Sequence, residues 1–285
     1  GMLATMKEAE TFGLTYDVVD DLTGKKLGRA SSGTFRTADV VGLDTMAHVV
    51  KTLQTNLESD PFFASYATPP ALQKLLDAGA LGQKSGAGFY KKVGKDILRF
   101  DAQTGDYVPG GGKAEAIVER ILKKPPAERL KLLHDSSNPQ AKFLWALLRD
   151  AFHYVAVHLG DIAESARDVD QAMRWGFGTK EGPFELWQQA GWKQVATWVQ
   201  EDIDAGKALS TAPLPAWVFE GPVAEKGGVH QPEGSWSPSA NAFVAPRTLP
   251  VYDRQAFREG VVGSGVVAPL KSGTEVFRND ETRLW

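Results

Sequence analysis

Apolar residues recur at helical spacing along most of the chain. In residues 44–57 they fall on one face of an amphipathic helix, at Met46, Val49, Val50, Leu53 and Leu57. Further helices are predicted over residues 3–12, 70–77 and 139–159, the last being the longest apolar stretch in the sequence. The pattern therefore predicts a mainly α fold.

One segment departs from helical spacing. Residues 88–92 and 97–100 are rich in aromatic and aliphatic side chains, and they flank a short loop that contains Gly94. This arrangement is typical of a β-hairpin. We expect the hairpin to close a first helical domain at residues 1–110, truncated at its N-terminus because its first helix begins without a capping residue. A second helical domain is placed at residues 111–205.

Residues 206–285 have a different composition. Prolines and glycines are frequent there and periodic apolar runs are few, which is typical of an extended linker. We expect its apolar residues to dock one at a time on the helical body, at Leu214, Trp217, Val218, Phe219, Trp236, Phe243, Leu249, Val251, Tyr252 and Phe257. Residues 261–267 are compatible with a flexible segment or with a short strand pair, and residues 274–285 with a strand, a turn and a strand.

The two helical domains contain an internal repeat. The first copy reads Val19-Asp20-Asp21-Leu22, Gly28, Gly33-Thr34-Phe35-Arg36 and Gly42-Leu43; the second reads Val169-Asp170-Gln171-Ala172, Gly178, Gly182-Pro183-Phe184-Glu185 and Gly191-Trp192. Each copy has a helix, a glycine turn, a helix opened by a Phe and a glycine stop. We expect the copies to superpose, with Phe35 and Phe184 buried at equivalent positions. The alternative is two unrelated helical turns of similar chemistry.

Composition narrows the classes of function. The chain has 285 residues, a formal net charge of -3 and no cysteine. A net charge this close to zero gives no excess of positive charge that would attract a nucleic acid. The absence of cysteine excludes disulfides and zinc-thiolate sites. The longest apolar stretch contains Arg149, Asp150, His153 and His158, so it is interpreted as a core helix and not as a membrane span. We expect a cytoplasmic protein.

Three motifs in order resemble a known family. Residues 176–186, Gly-Phe-Gly-Thr-Lys-Glu-Gly-Pro-Phe-Glu-Leu, with the preceding residues 168–173, resemble the C-terminal helical domain of 3-hydroxyacyl-CoA dehydrogenases. Residues 82–90, Gly-Gln-Lys-Ser-Gly-Ala-Gly-Phe-Tyr, resemble the motif that ends this domain, and residues 34–45 resemble the long bacterial members. The fold that this resemblance implies is two tandem helical domains like the C-terminal domain of 6-phosphogluconate dehydrogenase, with a small β-hairpin and an extended C-terminal tail.

The resemblance also implies an activity for a longer parent enzyme, the NAD-dependent oxidation of 3-hydroxyacyl-CoA in fatty-acid β-oxidation. In the family an NAD-binding domain precedes this part and carries the catalytic His–Glu pair, and in the long members a crotonase domain follows. We therefore expect this chain to contain no catalytic residue and to bind no cofactor or metal by itself. Its expected partners are acyl-CoA, the two further domains and, in a homodimer, a second copy.

Arg29, Ser31, Ser32 and Thr34 are the candidate substrate-binding residues. They surround a predicted helix N-terminus, where free N–H groups and a partial positive charge suit a thioester oxygen or a CoA phosphate. The alternative is simple helix capping. The equivalent turn of the second copy carries Glu181, which suits capping better than anion binding.

Other chemistry-bearing patterns favour structural roles. The glycine runs at residues 86–88, 110–112 and 263–265 do not have the spacing that pyrophosphate binding requires, and residues 134–136, His-Asp-Ser, are too close in sequence for a catalytic triad. His153 and His158 are five residues apart and do not share a helix face as metal ligands. Five tryptophans in the second copy are expected to pack in the core or between copies, with an exposed path for the acyl chain as the alternative: Trp145, Trp175, Trp187, Trp192 and Trp198. A non-catalytic dimerisation or docking module is the competing function.

Overall fold

The computed structural model describes residues 1–247, 266–269 and 275–277. These described residues contain eleven α-helices and three small antiparallel sheets, so the predicted mainly α fold is confirmed. Residues 1–244 form one compact unit, and residues 245–285 form a second one. In the second unit, strands Val266–Pro269 and Glu275–Phe277 pair antiparallel with each other.

The first repeat is a set of helices followed by a sheet. Its helices are α1 (Met2–Thr11), α2 (Tyr16–Thr23), α3 (Phe35–Val41), α4 (Leu43–Asn56) and α5 (Pro70–Asp77). Its strands are β1 (Tyr90–Val93), β2 (Asp96–Phe100) and β3 (Tyr107–Pro109), in the order β1-β2-β3. The predicted hairpin is β1 and β2, with Tyr90 opposite Arg99, and β3 adds a third strand that the sequence pattern did not reveal.

The second repeat follows the same plan. Its helices are α6 (Ala116–Leu122), α7 (Pro126–Asp135), α8 (Pro139–Ile162), α9 (Ala166–Phe177), α10 (Pro183–Asp204) and α11 (Gly221–Lys226). Its strands are β4 (His230–Gln231), β5 (Gly234–Ser237) and β6 (Ala242–Val244), in the order β4-β5-β6. Each repeat therefore ends in its own three-stranded antiparallel sheet.

Helix α8 is the central element because it is buried on nearly every side. Asn138 caps it by accepting hydrogen bonds from the amides of Gln140 and Ala141, and Pro139 occupies its first turn. Sixteen of its residues are buried. Among the described residues, no helix combines the length and the apolar character that crossing a bilayer requires.

The repeat predicted from the sequence is present in the backbone and in the core. Phe35 and Phe184 are 1% and 0% exposed, and each lies in the first turn of a helix, so their predicted burial at helix starts is confirmed. The glycines that interrupt the helices are also equivalent in the two copies. Gly42 (φ 101°) separates α3 from α4, and Gly191 (φ 108°) bends α10 at the equivalent position.

Residues 206–244 differ from the extended linker that the sequence suggested. They contain α11 and the sheet β4-β5-β6. Of the expected anchors, Leu214, Val218 and Trp236 are buried, Trp217 and Phe243 pack against the core, and Phe219 is exposed. The strands are two to four residues long, too short to show a two-residue period, and this is why composition suggested a linker. Leu249, Val251, Tyr252 and Phe257 lie outside the described residues, as do residues 261–265 and 278–285.

A buried charge network joins the two repeats. Arg149 in α8 contacts Glu8 in α1 at 3.2 Å, Asp150 at 2.8 Å and Asp202 in α10 at 3.3 Å. Trp145 Nε1 also donates to Asp202, at 2.9 Å. All four charged side chains are buried, so one guanidinium faces three carboxylates with little solvent. Removing either sign from such a network leaves uncompensated buried charge.

The buried position of this network favours protonation of Glu8. Burial, and then the neighbouring Asp150 carboxylate, raise the pKa of Glu8 to about 7 against the opposing effect of Arg149. Burial also raises the pKa of Asp150. In the unfolded chain a Glu has a pKa near its ordinary value of about 4.3. Between these two values the folded state binds more protons than the unfolded state, so stability falls as pH rises.

We predict that the free energy of unfolding falls between pH 5.5 and 8, by an amount on the order of 2 kcal/mol from Glu8. Glu8→Gln keeps a neutral side chain of the same shape at every pH and should flatten this decline. Urea unfolding at both pH values measures it. Glu58→Gln, at an exposed loop position, is the matched control and should leave the decline unchanged. An unaltered slope in the Glu8→Gln variant would contradict the assignment.

Candidate functional site

The helix N-terminus at the predicted site is occupied by a side chain of the protein itself. Asp20 in α2 accepts hydrogen bonds from three consecutive backbone amides, those of Thr34 at 2.7 Å, Phe35 at 2.6 Å and Arg36 at 3.0 Å. These are amides that a helix leaves without an internal partner. Because a buried carboxylate already satisfies them, the N-terminus of α3 has few backbone donors left for an external anion.

Asp20 also ties the sheet of the first repeat to its helices. The hydroxyl of Tyr90, the first residue of β1, donates to Asp20 Oδ2 at 2.8 Å. Burial raises the pKa of Asp20, and the amide and hydroxyl hydrogen bonds oppose that rise. Burial, and then the Asp20 charge, raise the pKa of Tyr90 well above its usual range. Three elements, α2, α3 and β1, therefore meet at one carboxylate.

A glycine makes room for this contact. A Cβ atom at Gly33 would lie 2.6 Å from the Asp20 Cα, and the Gly33 backbone has a φ of 67°. Other residues disfavour that left-handed conformation. Both the conformation and the close approach therefore require glycine where α3 begins.

The second repeat has the same arrangement around Asp170. Its carboxylate accepts hydrogen bonds from the amides of Phe184 at 2.9 Å and Glu185 at 3.0 Å, at the start of α10. His230, the first residue of β4, places Nε2 2.7 Å from Asp170 Oδ2, and its Nδ1 lies 2.7 Å from Ser235 Oγ. His230 thus replaces Tyr90, and it attaches the second sheet as Tyr90 attaches the first.

A second polar contact repeats in the same way. Asp39 in α3 accepts hydrogen bonds from the amides of Phe89 at 2.8 Å and Tyr90 at 2.9 Å, and burial raises its pKa to about 6. In α10, Gln188 exchanges two 2.8 Å hydrogen bonds with the backbone of His230. Each repeat therefore consists of helices and a sheet joined by two polar contacts, and the second repeat continues to residue 244.

The sequence motif included Asp20 and Asp170 without indicating their role. The sequence did carry a signal, because an aspartate occupies the same position in the helix that precedes the glycine turn of each copy, α2 and α9. What the sequence did not show was the distance that this residue bridges, 14 and 15 residues along the chain to its amide partners.

The structure places the four candidate substrate-binding residues in different environments. Thr34 is buried and its hydroxyl pairs with that of Thr23 at 2.9 Å. Ser32 pairs with the hydroxyl of Thr37 at 2.7 Å. Ser31 is exposed, and Arg29 is half-buried, where burial lowers the pKa of its guanidinium. Thr34 and Ser32 thus have partners in the two helices that flank the turn, Thr23 in α2 and Thr37 in α3.

The turn that carries these residues lies where the two repeats meet. The amide of Lys180 in the second glycine turn donates to the carbonyl of Gly28 in the first, at 3.0 Å. Gly28 is left-handed (φ 69°), and so is Gly178 (φ 65°). Arg29 and Ser31 follow this contact directly, so they border the seam between the repeats.

The glycine run at residues 110–112 does not fit a dinucleotide phosphate. The Gly112 amide already donates to Asp17 Oδ2 at 2.7 Å. A carboxylate in that position repels phosphate and occupies a donor that would bind it. In the described part of the chain, no group of three or more His, Cys, Asp or Glu side chains is arranged to hold a metal ion.

The histidines have structural contacts. His134 stacks on Trp198 at 4.4 Å. His153 is fully buried with Nε2 2.7 Å from the carbonyl of Ala212, and burial lowers its pKa. His158 Nε2 lies 3.3 Å from Asp60 Oδ2. These contacts agree with the structural interpretation of His134, His153 and His158.

The tryptophans divide into two groups. Trp145, Trp187 and Trp192 are buried, and Trp198 packs partly buried against the core, as the packing hypothesis predicts. Trp175 differs, since it is 77% exposed and is followed closely by Phe177, which is 70% exposed. Both lie at the C-terminal end of α9, so the second repeat has two exposed aromatic side chains at its surface.

Comparison with known proteins relates this architecture to one family. Residues 4–92 match the sequence profile of the 3-hydroxyacyl-CoA dehydrogenase C-terminal domain. A probable 3-hydroxyacyl-CoA dehydrogenase of Bacillus subtilis is 36% identical over 218 residues, 72% of this chain and 28% of the relative. A probable 3-hydroxyacyl-CoA dehydrogenase of Deinococcus radiodurans is 45% identical over 99 residues, 35% of this chain and 28% of the relative.

A more distant relative is named a putative fatty acid oxidation complex trifunctional enzyme, from Rickettsia felis. It is 25% identical over 194 residues, 64% of this chain and 25% of the relative. The crystal structure of 3-hydroxybutyryl-CoA dehydrogenase from Escherichia coli is similar with a TM-score of 0.48 and 16% identity, over 75% of this chain and 56% of that one. The chain thus spans about a quarter of the length of these curated relatives.

We predict that Asp20→Asn destabilises the protein by on the order of 3 kcal/mol, because charged hydrogen bonds to buried amides are lost. Asp170→Asn should cost a similar amount. Urea unfolding followed by circular dichroism measures both. Asp44→Asn, at a more exposed acidic position, is the control and should cost much less. A loss below that of the control in either variant would show that its carboxylate does not hold the repeat together.

Proposed function

We propose, from the match of residues 4–92 to the C-terminal domain of 3-hydroxyacyl-CoA dehydrogenases, that this chain is the helical part of such an enzyme. In this proposal the parent oxidises 3-hydroxyacyl-CoA with NAD in cytoplasmic fatty-acid β-oxidation. The helical part binds the acyl-CoA and packs the domains together, and a nucleotide-binding domain carries the chemistry. A crotonase domain is proposed on the same parent, in line with the trifunctional name of one relative.

The observation that carries the proposal is the paired construction of the two repeats. The Arg149 network and the contact between the two glycine turns join the repeats. A body of this kind is suited to supporting one wall of a cleft without taking part in hydride transfer. NAD belongs in this proposal to another domain, since the glycine run at residues 110–112 is blocked by Asp17.

Arg29 and Ser31 are the proposed acyl-CoA contacts that remain available. Ser32 and Thr34 are hydrogen-bonded to the helices that flank the turn, and they would act by shaping it. Arg29 supplies a cation and Ser31 a solvent-facing hydroxyl beside the seam of the repeats. Both groups suit a phosphate or a thioester oxygen.

A docking module without a ligand of its own is the second candidate function. The exposed Trp175 and Phe177 favour it, because aromatic residues are enriched at the centres of protein interfaces. A second copy of the chain and a neighbouring domain are the occupants to be distinguished. The two candidate functions make different demands on Arg29 and Trp175.

We predict that the chain alone does not turn over NADH with acetoacetyl-CoA but does bind acetoacetyl-CoA in calorimetry. Arg29→Ala should weaken that binding at least several-fold, whereas Trp175→Ala should not change it. If acetoacetyl-CoA does not bind, and Trp175→Ala alters the sedimentation of the chain, the docking function is supported instead. Turnover above the blank that is lost on mutating a residue of this chain would contradict the proposed division of labour.

A further inference from the structure

A cavity of about 400 Å³ opens within the first repeat. It lies between α1, the start of α2, α5 and strand β2. Its interior is formed by aliphatic and aromatic side chains, among them Leu14, Ala71, Phe35, Phe89 and Phe100. Small-molecule sites typically occupy about 300–1,000 Å³ and are lined mostly by apolar groups, so this cavity is at the small end of that range.

Aromatic rings make the floor of the cavity rigid. Tyr16, Phe35 and Phe89 are in mutual contact, with ring centroids 4.3 to 5.0 Å apart. Burial, and then the charges of Glu10 and Asp101, raise the pKa of Tyr16 to about 12, so its hydroxyl stays neutral. Uncharged aromatic rings of this kind suit contact with an apolar chain.

Charged groups surround the mouth. Lys74 lies there with its ammonium 2.8 Å from the carbonyl of Ala102, and Arg99 lies there with its Nε 3.5 Å from Asp17 Oδ1. Glu10 and Asp101 supply the opposite sign at the same rim. Lys74 is exposed and its ammonium donates to a neutral carbonyl, which leaves its charge available to an anionic or polar head group.

In the second repeat, aromatic residues pack at the position that corresponds to the cavity wall at Phe100. The amide of Phe100 donates to the carbonyl of Phe89 at 2.8 Å, and the amide of Trp236 donates to that of Val229 at the same distance. Trp236 therefore stands at the position of Phe100. It is 1% exposed, and its ring lies 6.2 Å from that of Trp217 and 5.5 Å from that of Phe243.

Apolar surface that stays in contact with water forgoes the stabilisation that its burial would give. One repeat of this chain has a larger aromatic residue at this position, and the other keeps a smaller one beside an open space with an apolar interior and a charged rim. The difference between two otherwise matched units indicates that the space in the first repeat serves a ligand.

We propose that this cavity binds an unbranched alkyl chain of medium length whose polar head lies beside Lys74. The chain would be part of an acyl-CoA if the proposed function holds, on which the choice of an acyl group rests, or of a free carboxylate. The alkyl part lies on the aromatic floor, and the head stays at the charged rim.

Calorimetric titration of the 285-residue chain with octanoate and, separately, with octanoyl-CoA tests this proposal. Ala71→Trp fills the cavity from α5 and should weaken binding of both probes at least ten-fold. Ala78→Trp introduces the same side chain at an exposed position at the end of α5 and should leave binding unchanged. Lys74→Gln should weaken octanoate binding several-fold without affecting the fold, as checked by circular dichroism.

Binding of octanoate alone identifies a free carboxylate as the ligand, and binding of octanoyl-CoA identifies an acyl-CoA. Absence of binding for both probes would overturn the proposal, and so would binding that neither Ala71→Trp nor Lys74→Gln weakens. The outcome is separate from the proposed function, because acetoacetyl-CoA carries only a short acyl group and its dependence on Arg29 is measured independently.

Discussion

A buried carboxylate that caps a neighbouring helix is the interaction on which both repeats depend. Asp20 and Asp170 each form hydrogen bonds with free amides at the start of the next helix and with one side chain of the following sheet. Ionised carboxylates are expensive to bury unless their hydrogen-bonding capacity is used. Because the amides and the sheet supply those hydrogen bonds, the helix, the turn and the sheet of each repeat have to form together.

This constraint explains which differences between the repeats are tolerated. Tyr90 and His230 are chemically unlike, yet both reach the carboxylate from the first position of a sheet. Asp39 and Gln188 differ in charge, but each binds the backbone at the start of the first strand of its own repeat, at Tyr90 and at His230. The features on which the proposed functions rest lie outside these contacts, in the open cavity of the first repeat and in the exposed Trp175 of the second.

Local signals in the sequence predicted the helices, the hairpin and the burial of Phe35 and Phe184, because helical period and glycine turns are properties of short segments. The sheet at residues 230–244 gave no such signal, since its strands are two to four residues long. The Arg149 network joins residues 141 positions apart, which no local pattern reveals. The sequence correctly predicted that a helix begins after this turn, but the amide of Thr34 at that helix start is bound by Asp20, 14 positions earlier.

The most direct test of the proposed function is the coding sequence that precedes residue 1 in its genome, together with the activity of the complete product. The proposal expects a Gly-x-Gly-x-x-Gly motif after the first strand of that upstream segment. It also expects NAD-dependent oxidation of 3-hydroxyacyl-CoA by the full-length protein. A complete product that has no dinucleotide-binding segment, or one that does not oxidise 3-hydroxyacyl-CoA, would contradict the proposal.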